Sequence, residues 1–188
     1  MSGQPAGDGF ERLATILGWP GHRPFRVDWD AAPEGVRISY PMDYRRFVET
    51  YGNGRFAGGL GVGTPLRPRT EQEPTGFETM LRFNLEVGEA IEDWYTWDPG
   101  DRPYEPYPAP GGLFLWGNDL SANQFLWDMS NPNPERWPVV VWNPSDEGFL
   151  TFETGMSGFL ADLLGREHPL SEELIDFESG EPLWQGRV

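Results

Sequence analysis

The side chains through which this chain would do chemistry are two histidines and 30 carboxylates; it has no cysteine, and all 14 of its basic residues are Arg. Thiol nucleophiles, thiolate metal sites, disulfides and lysine Schiff bases are therefore ruled out. His22 sits in a Pro/Gly-rich stretch and His168 near the C-terminus, with no Ser or second His at a spacing that suggests a triad or a metal site. Each reads as an exposed surface residue. Acids fall in close pairs, Asp28/Asp30, Glu71/Glu73, Glu92/Asp93, Asp146/Glu147 and Glu172/Glu173. A glycosidase needs two carboxylates converging from separate elements, which neighbours in sequence do not supply. Solvated charge explains the pairs more simply, and a carboxylate-based hydrolase stays a minor alternative. No run has the spaced acids and terminal Glu of a calcium loop. The glycine-rich stretch Gly52–Gly63 contains neither a GK[ST] nor a dinucleotide fingerprint, so it reads as a turn entering a tightly packed strand. Neither metal nor cofactor is expected.

What remains is recognition. The net charge of −16 is uneven: residues 1–70 carry nine Arg against seven acids, residues 71–188 five Arg against 23 acids. Such a surface repels phosphate backbones; it would attract a basic protein, or else it serves only to keep the chain soluble. Of the nine Trp, Trp116, Trp127 and Trp142 fall in apolar runs and read as core. Trp94 and Trp97 stand beside Glu92, Asp93, Asp98 and Asp101, a mixture of aromatic anchors and charge suited to a protein interface, or else to helix-end packing. The contact residues expected on this basis are Glu92, Asp93, Trp97, Asp98, Asp101 and Asp119. No apolar run approaches the ~18 residues of a membrane helix, and the first ten residues lack a signal-peptide pattern. The expected compartment is the cytoplasm.

The elements that must position these residues are legible in outline. Phe10, Leu13, Ile16 and Leu17 predict a helix ending at Gly18, and a short strand is possible over Val36–Tyr40. A second helix should start at Pro41, bury Tyr44, Phe47, Val48 and Tyr51, and stop at Gly52. A short strand follows at Gly59–Gly63. Residues 75–95 suit a longer helix with Phe77, Leu81, Leu85, Ala90 or Ile91, and Trp94 or Tyr95 inward, although Gly88 weakens its middle. The five prolines of 98–112 forbid regular structure. Four apolar runs (113–117, 123–129, 138–142 and 148–153), parted by turn residues, read as an antiparallel meander. A last helix over Met156–Leu164 buries Phe159, Leu160, Leu163 and Leu164. Residues 166–188 are acidic and weakly patterned, with Phe177 and Trp184 available to pin them. Helices first, then strands closed by a helix, give an α+β class.

Two stretches carry a family resemblance. Residues 40–65, YPMDYRRFVETYGNGRFAGGLGVGTP, hold a Pro-x-Asp-Tyr helix, a Tyr-Gly break and a glycine-bearing turn and strand. Residues 107–165 hold a Pro-Gly-Gly lead-in, a strand ending Trp-Gly, a Phe-Leu-Trp strand, a Trp-Pro-Val-Val-Val strand and a Phe-Leu-x-x-Leu-Leu helix. Their order and spacing resemble the SUKH superfamily of Smi/Knr type, over about residues 10–166. A Gly-Asp turn is common after the Trp-Gly strand; here the chain reads Asn118-Asp119-Leu120-Ser121-Ala122-Asn123. The resemblance implies one SUKH-like domain (1–166), with N-terminal helices, a sheet of about four to six antiparallel strands and a closing helix, followed by an acidic tail (167–188). It further implies a non-enzyme: bacterial members are typically immunity proteins that neutralise toxins, often nucleases, and fungal relatives are regulators of cell-wall synthesis. The expected partner is a basic toxin domain, with a cellular protein as the alternative; nucleic acid and membrane are not expected partners.

Overall fold

The first helix, α1 (Ala6–Leu17), buries Phe10, Leu13 and Ala14, one helical turn apart, in a computed structural model that describes residues 6–66, 75–97, 100–145 and 148–187. Ile16, expected inside, is 37 % exposed, because the stripe runs through Ala14 instead. No strand forms over Val36–Tyr40. The Tyr40 hydroxyl donates to Val36 O (2.7 Å) and curls the segment, which follows two 3-10 turns, Trp29–Ala31 and Glu34–Val36.

Helix α2 (Met42–Tyr51) buries the four expected aromatic and aliphatic residues, and Gly52 ends it at φ 70°, with the ring of Phe25 where a side chain would stand. Pro41 is its N-cap, not its first residue, and supplies no side-chain acceptor. Glu135, from a distant 3-10 turn, accepts the Met42 N–H instead (2.8 Å). Strand β1 (Asn53–Phe56) was not expected, and β2 (Gly61–Val62) is the core of the predicted 59–63 strand.

Helix α3 (Phe77–Trp97) has its buried stripe at Met80, Asn84, Gly88, Ile91 and Tyr95, one position off the predicted Phe77–Leu81–Leu85 line; Leu85 is 40 % exposed. Two residues cause the shift. The Asn84 carboxamide bonds β3 (Leu113–Asn118) where β2 has already ended: Oδ1 accepts the Leu115 N–H (2.7 Å), and Nδ2 donates to Met80 O (2.9 Å) and Leu115 O (3.3 Å). Gly88 leaves room for the Tyr107 carbonyl, against which any β-carbon would collide.

The meander continues with β4 (Gln124–Asp128), β5 (Val139–Trp142) and β6 (Phe149–Phe152), close to the predicted runs. Helix α4 (Met156–Leu164) then lies against α1 and α2. After residue 166, a short α5 (Ser171–Leu174) buries Leu174, and β7 (Trp184–Arg187) pairs along the whole of β1. Trp184 packs on Phe56 (4.8 Å between ring centres) and Phe47 (5.2 Å), while the Arg166 guanidinium covers Phe177.

All seven strands form one antiparallel sheet, ordered β6-β5-β4-β3-β2-β1-β7. It exceeds the expected four to six because β1 and the tail strand β7 join it. One face presents Phe114, Trp116, Phe125, Trp127, Val139 and Val141 to α1, α2 and α4. The other presents Leu113, Leu115, Leu126, Val140 and Trp142 to α3 through Ile91 and Tyr95. Burial on both faces is why these strands read as continuous apolar runs rather than alternating ones; each buried Val or Leu contributes roughly 1.5–3 kcal/mol. Helix α3 covers the β3–β6 part of its face, leaving β1 and β2 open beside its first turns.

Candidate partner-binding surface

The titratable groups separate by what they touch. His22 is half-buried: it lies edge-on to Phe25 (4.9 Å) and its Nδ1–H donates to Arg23 O (2.9 Å). His168, expected to be exposed, is half-buried between Phe152 (4.4 Å) and Phe159 (4.8 Å), because α5 folds the tail back over the sheet. Its Nδ1 accepts the Leu170 N–H (3.2 Å), so the ring is neutral with its proton on Nε2. Burial lowers its pKa below the usual 6.5, opposed in part by Asp162.

Among the acid pairs, Asp28/Asp30, Glu92/Asp93 and Glu172/Glu173 are exposed, while Glu71/Glu73 and Asp146/Glu147 lie outside the described residues. Across the fold Asp43 interacts with Glu135, and each of the two caps a helix. Asp43, 3 % exposed, accepts the N–H of Ser157 (2.9 Å) and of Tyr44 (2.7 Å). It thereby caps α4, whose own N-cap Gly155 has no side chain to offer. Burial raises its pKa above 3.8; the two N–H bonds oppose the rise and Glu135 adds to it. The Pro-x-Asp-Tyr run is thus an architectural motif: Asp43 joins α2 to α4, and Tyr44 donates its hydroxyl to Gly63 O (2.7 Å). Among the described residues, no group of three or more His, Cys, Asp or Glu is placed to hold a metal ion. No helix among them is long and apolar enough to cross a membrane.

The expected contact residues fall at two places. Glu92, Asp93 and Trp97 occupy the last turns of α3 and are exposed, Trp97 by 88 %. Asp101 is exposed in the following loop, and Asp98 lies outside the described residues. Arg102 ties that loop to the helix: its guanidinium donates to both Glu92 oxygens (2.7 and 2.8 Å) and lies over the Tyr95 ring (4.5 Å). Trp94 departs from its neighbour, packing edge-on against Phe149 (5.6 Å) as part of the helix-end core. Upstream on α3, Glu78, Glu86 and Glu89 are exposed as well, with Arg82 the one base of the helix. The last turn has no basic residue. Glu92 and Asp93 stand in the turn before it, with no basic residue between them and the end of the helix.

Asp119 lies elsewhere. Helix α3 runs antiparallel to β3, so the β3–β4 loop sits beside the start of α3, roughly 15–20 Å from Glu92 along the axis. There the Asp119 carboxylate accepts the N–H groups of Ser121 (2.8 Å) and Asn123 (2.9 Å) and the Asn123 Nδ2 (2.7 Å), fixing the loop. The loop borders an open groove of about 290 Å³ between α3 and the uncovered strands. Met80 and Phe83 form one wall, Arg55 the opposite one, and Gly61 and Gly63 part of the floor. The sequence pattern reads this glycine run as a turn entering a tightly packed strand, with no binding role. Its one signal was Arg55, a lone cation among glycines.

With this geometry in hand, the comparisons decide the family. The SUKH family model described as SMI1-KNR4 cell-wall matches residues 28–160. The chain belongs to that family. The match begins at Asp28 and ends within α4, so α1, α5 and β7 lie outside it. Neither a curated protein nor a solved structure matches the chain. SUKH membership is consistent with an immunity or regulatory role.

Proposed function

We propose that this SUKH protein is an immunity protein that neutralises a basic toxin domain by direct contact, through the C-terminal end of α3 and the loop after it. The observation that carries the reading is the placement of the exposed Glu92 and Asp93 near the C-terminal end of α3, beside a Trp97 that is 88 % exposed. The exposed Trp97 ring adds no packing to the fold, and Glu92, although Arg102 bonds it, keeps half of its side chain exposed. Both suit an interface in which acids steer a basic partner and a rigid aromatic ring anchors it. Burying one such indole removes about 150–250 Å² from water, worth roughly 4–6 kcal/mol before the costs of association. A toxin that binds phosphates presents a basic surface, to which clustered carboxylates are complementary. The protein would act where the toxin does, in the cytoplasm.

The test is protection. The chain is co-expressed in a bacterial host with basic nuclease toxin domains in turn, and survival is scored for the wild type and for a Glu92→Gln/Asp93→Asn/Trp97→Ala variant shown to be folded. Survival with the first and death with the second is the expected pattern. Equal protection by both would remove the surface from the account. A second reading, an adaptor for a cellular protein, draws on the family's cell-wall description; a neutral or acidic partner would favour it.

A further inference from the structure

The groove at the other end of α3 has the marks of a second recognition point. Strand register places Arg55, Gly61 and Asn118 side by side across β1, β2 and β3. The same row continues through Gln124 to Trp142, which packs towards α3, so these residues share the α3 face. Gly61 is the gap in the row, and alternation puts Gly63 on the same face.

These two glycines differ from others in the chain. A β-carbon at Gly88 or Gly117 would meet backbone at close range (Gly117 at 2.6 Å from Gly61 O), and Gly58 and Gly59 hold positive φ. At Gly61 the nearest atoms would be 3.7 and 3.9 Å away, and at Gly63 3.4 Å, with no positive φ at either. Neither backbone conformation nor packing demands glycine there, and glycine weakens a strand. What its absence of side chain does provide is the open floor.

The walls specify what would lie on that floor. Met80, Phe83 and Leu120, the last 79 % exposed, are apolar. Across the floor, two strand spacings of about 4.8 Å away from β3, stands Arg55, exposed and with no carboxylate paired to it among the described residues. Asp119 on the rim is already engaged by its own loop. An apolar body with a carboxylate a few ångströms away fits these walls. The volume of about 290 Å³ is at the lower limit of small-molecule sites, roughly 300–1,000 Å³, and the groove lies open along one side, so it cannot enclose the 70–90 % of surface such ligands bury. An anchor belonging to a larger chain meets that objection, because the surrounding surface supplies the remaining contact.

We infer that the groove receives the C-terminal residue of a protein partner, an apolar side chain over Gly61 and Gly63 with its free carboxylate on Arg55. The inference rests on the reading of the chain as a protein binder and adds a polarity to it. The 21 residues of α3 span about 30 Å, comparable to the width of an interface burying about 800 Å² on one partner. One partner lying along α3 would meet Glu92, Asp93 and Trp97 at one end and Arg55 across the groove at the other, two unlike contacts that only one direction of docking brings to their counterparts together.

The test uses the full chain, isotope-labelled, with three probes followed by NMR: a short peptide ending in Phe with a free carboxylate, the same peptide as its amide, and 3-phenylpropionate. The carboxylate peptide is expected to bind with a Kd of roughly millimolar or tighter and to move the amide signals of Gly61, Gly63, Gly117 and Leu120. The amide form, or an Arg55→Gln variant, should bind at least about tenfold more weakly, as expected for loss of a hydrogen bond to a charged group. Gly61→Val, which fills the floor, should abolish binding while leaving the thermal midpoint unchanged or raised. Equal binding of acid and amide, signals moving elsewhere, no binding at several times millimolar, or a Gly61→Val chain that fails to fold would each overturn the inference. Phenylpropionate binding as tightly as the peptide would overturn the chain-end occupant in favour of a free small acid. The probes carry no basic surface, so their failure leaves the acidic end of α3 unaffected, and loss of protection at Glu92 leaves the groove result standing.

Discussion

Replacing Gly88 with Ala sets two physical arguments in opposition. In the interior of a helix, Gly→Ala should stabilise by about 1 kcal/mol, from backbone entropy alone. The structure predicts the reverse sign. A β-carbon at position 88 falls inside the van der Waals envelope of Tyr107 O and 3.1 Å from its carbonyl carbon. A carbon and a carbonyl oxygen rest about 3.3–3.6 Å apart, so the loop would have to withdraw by on the order of 1 Å. Tyr107 has little freedom to do so. Its hydroxyl donates to Gly35 O (2.6 Å), and its ring packs edge-on against Phe114 (5.9 Å). Overpacking costs about 1–3 kcal/mol, and losing the Tyr107 hydrogen bond would add about 0.5–1.5 kcal/mol. After subtracting the propensity gain, the net loss is about 0.5–3.5 kcal/mol. In a chain of this size, that lowers the melting midpoint by about 2–4 °C per kcal/mol. Equilibrium unfolding in urea, read by Trp fluorescence, measures it directly, with exposed Glu89→Ala on the same helix as the control, expected within about 0.5 kcal/mol of wild type. A Gly88→Ala chain as stable as wild type, or more so, would refute the claim that the Tyr107 loop sets the packing of α3.

Three other outcomes test the same structure. Asp43→Ala should destabilise by about 1–3 kcal/mol in denaturant titration, since the Ser157 N–H is left buried without an acceptor. The sign of the Asp43 pH dependence follows from its raised pKa: the folded state binds the proton more tightly than the unfolded one. Relative to Asp43→Asn, wild type should therefore lose stability as pH rises from 3.8 through the raised value. His168 works the other way. Its lowered pKa means that the unfolded chain binds the proton more readily, so stability relative to His168→Gln should fall as pH drops below 6.5, a trend read from unfolding curves across that range.

How far each element could be read from sequence depended on whether its stabilising partners were local. Strands β3 to β5 were legible because burial on both faces makes their interiors apolar, and β6 because Phe149, Leu150 and Phe152 keep it apolar although its middle is exposed. Helix α2 was legible because Tyr44, Phe47, Val48 and Tyr51 form one uninterrupted stripe. The α3 stripe was misplaced by one residue because two of its inward positions are a carboxamide and a glycine. Asn84 is inside to complete the hydrogen bonding of β3, and Gly88 to admit a carbonyl, and neither role has a hydrophobic signal. Strands β1 and β7, with sequences NGRF and WQGR, hold together by pairing across more than a hundred residues, which no local pattern encodes. The same holds for the surface. Charge and aromatic content pointed to Glu92, Asp93 and Trp97, but grouping Asp119 with them required ignoring the direction of α3. The groove beside Arg55 became visible only when register placed Gly61 between Arg55 and Asn118.

The most direct test of the central claim is capture of the partner at two salt concentrations, with the wild type and a Glu92→Gln/Asp93→Asn/Trp97→Ala/Asp101→Asn variant as baits in lysate and secretome of the native organism. The account predicts that the wild type retains one basic protein, more strongly at low than at moderate salt, and that the variant, folded by circular dichroism, loses it. Equal retention by both baits, or a salt-insensitive neutral partner, would contradict it.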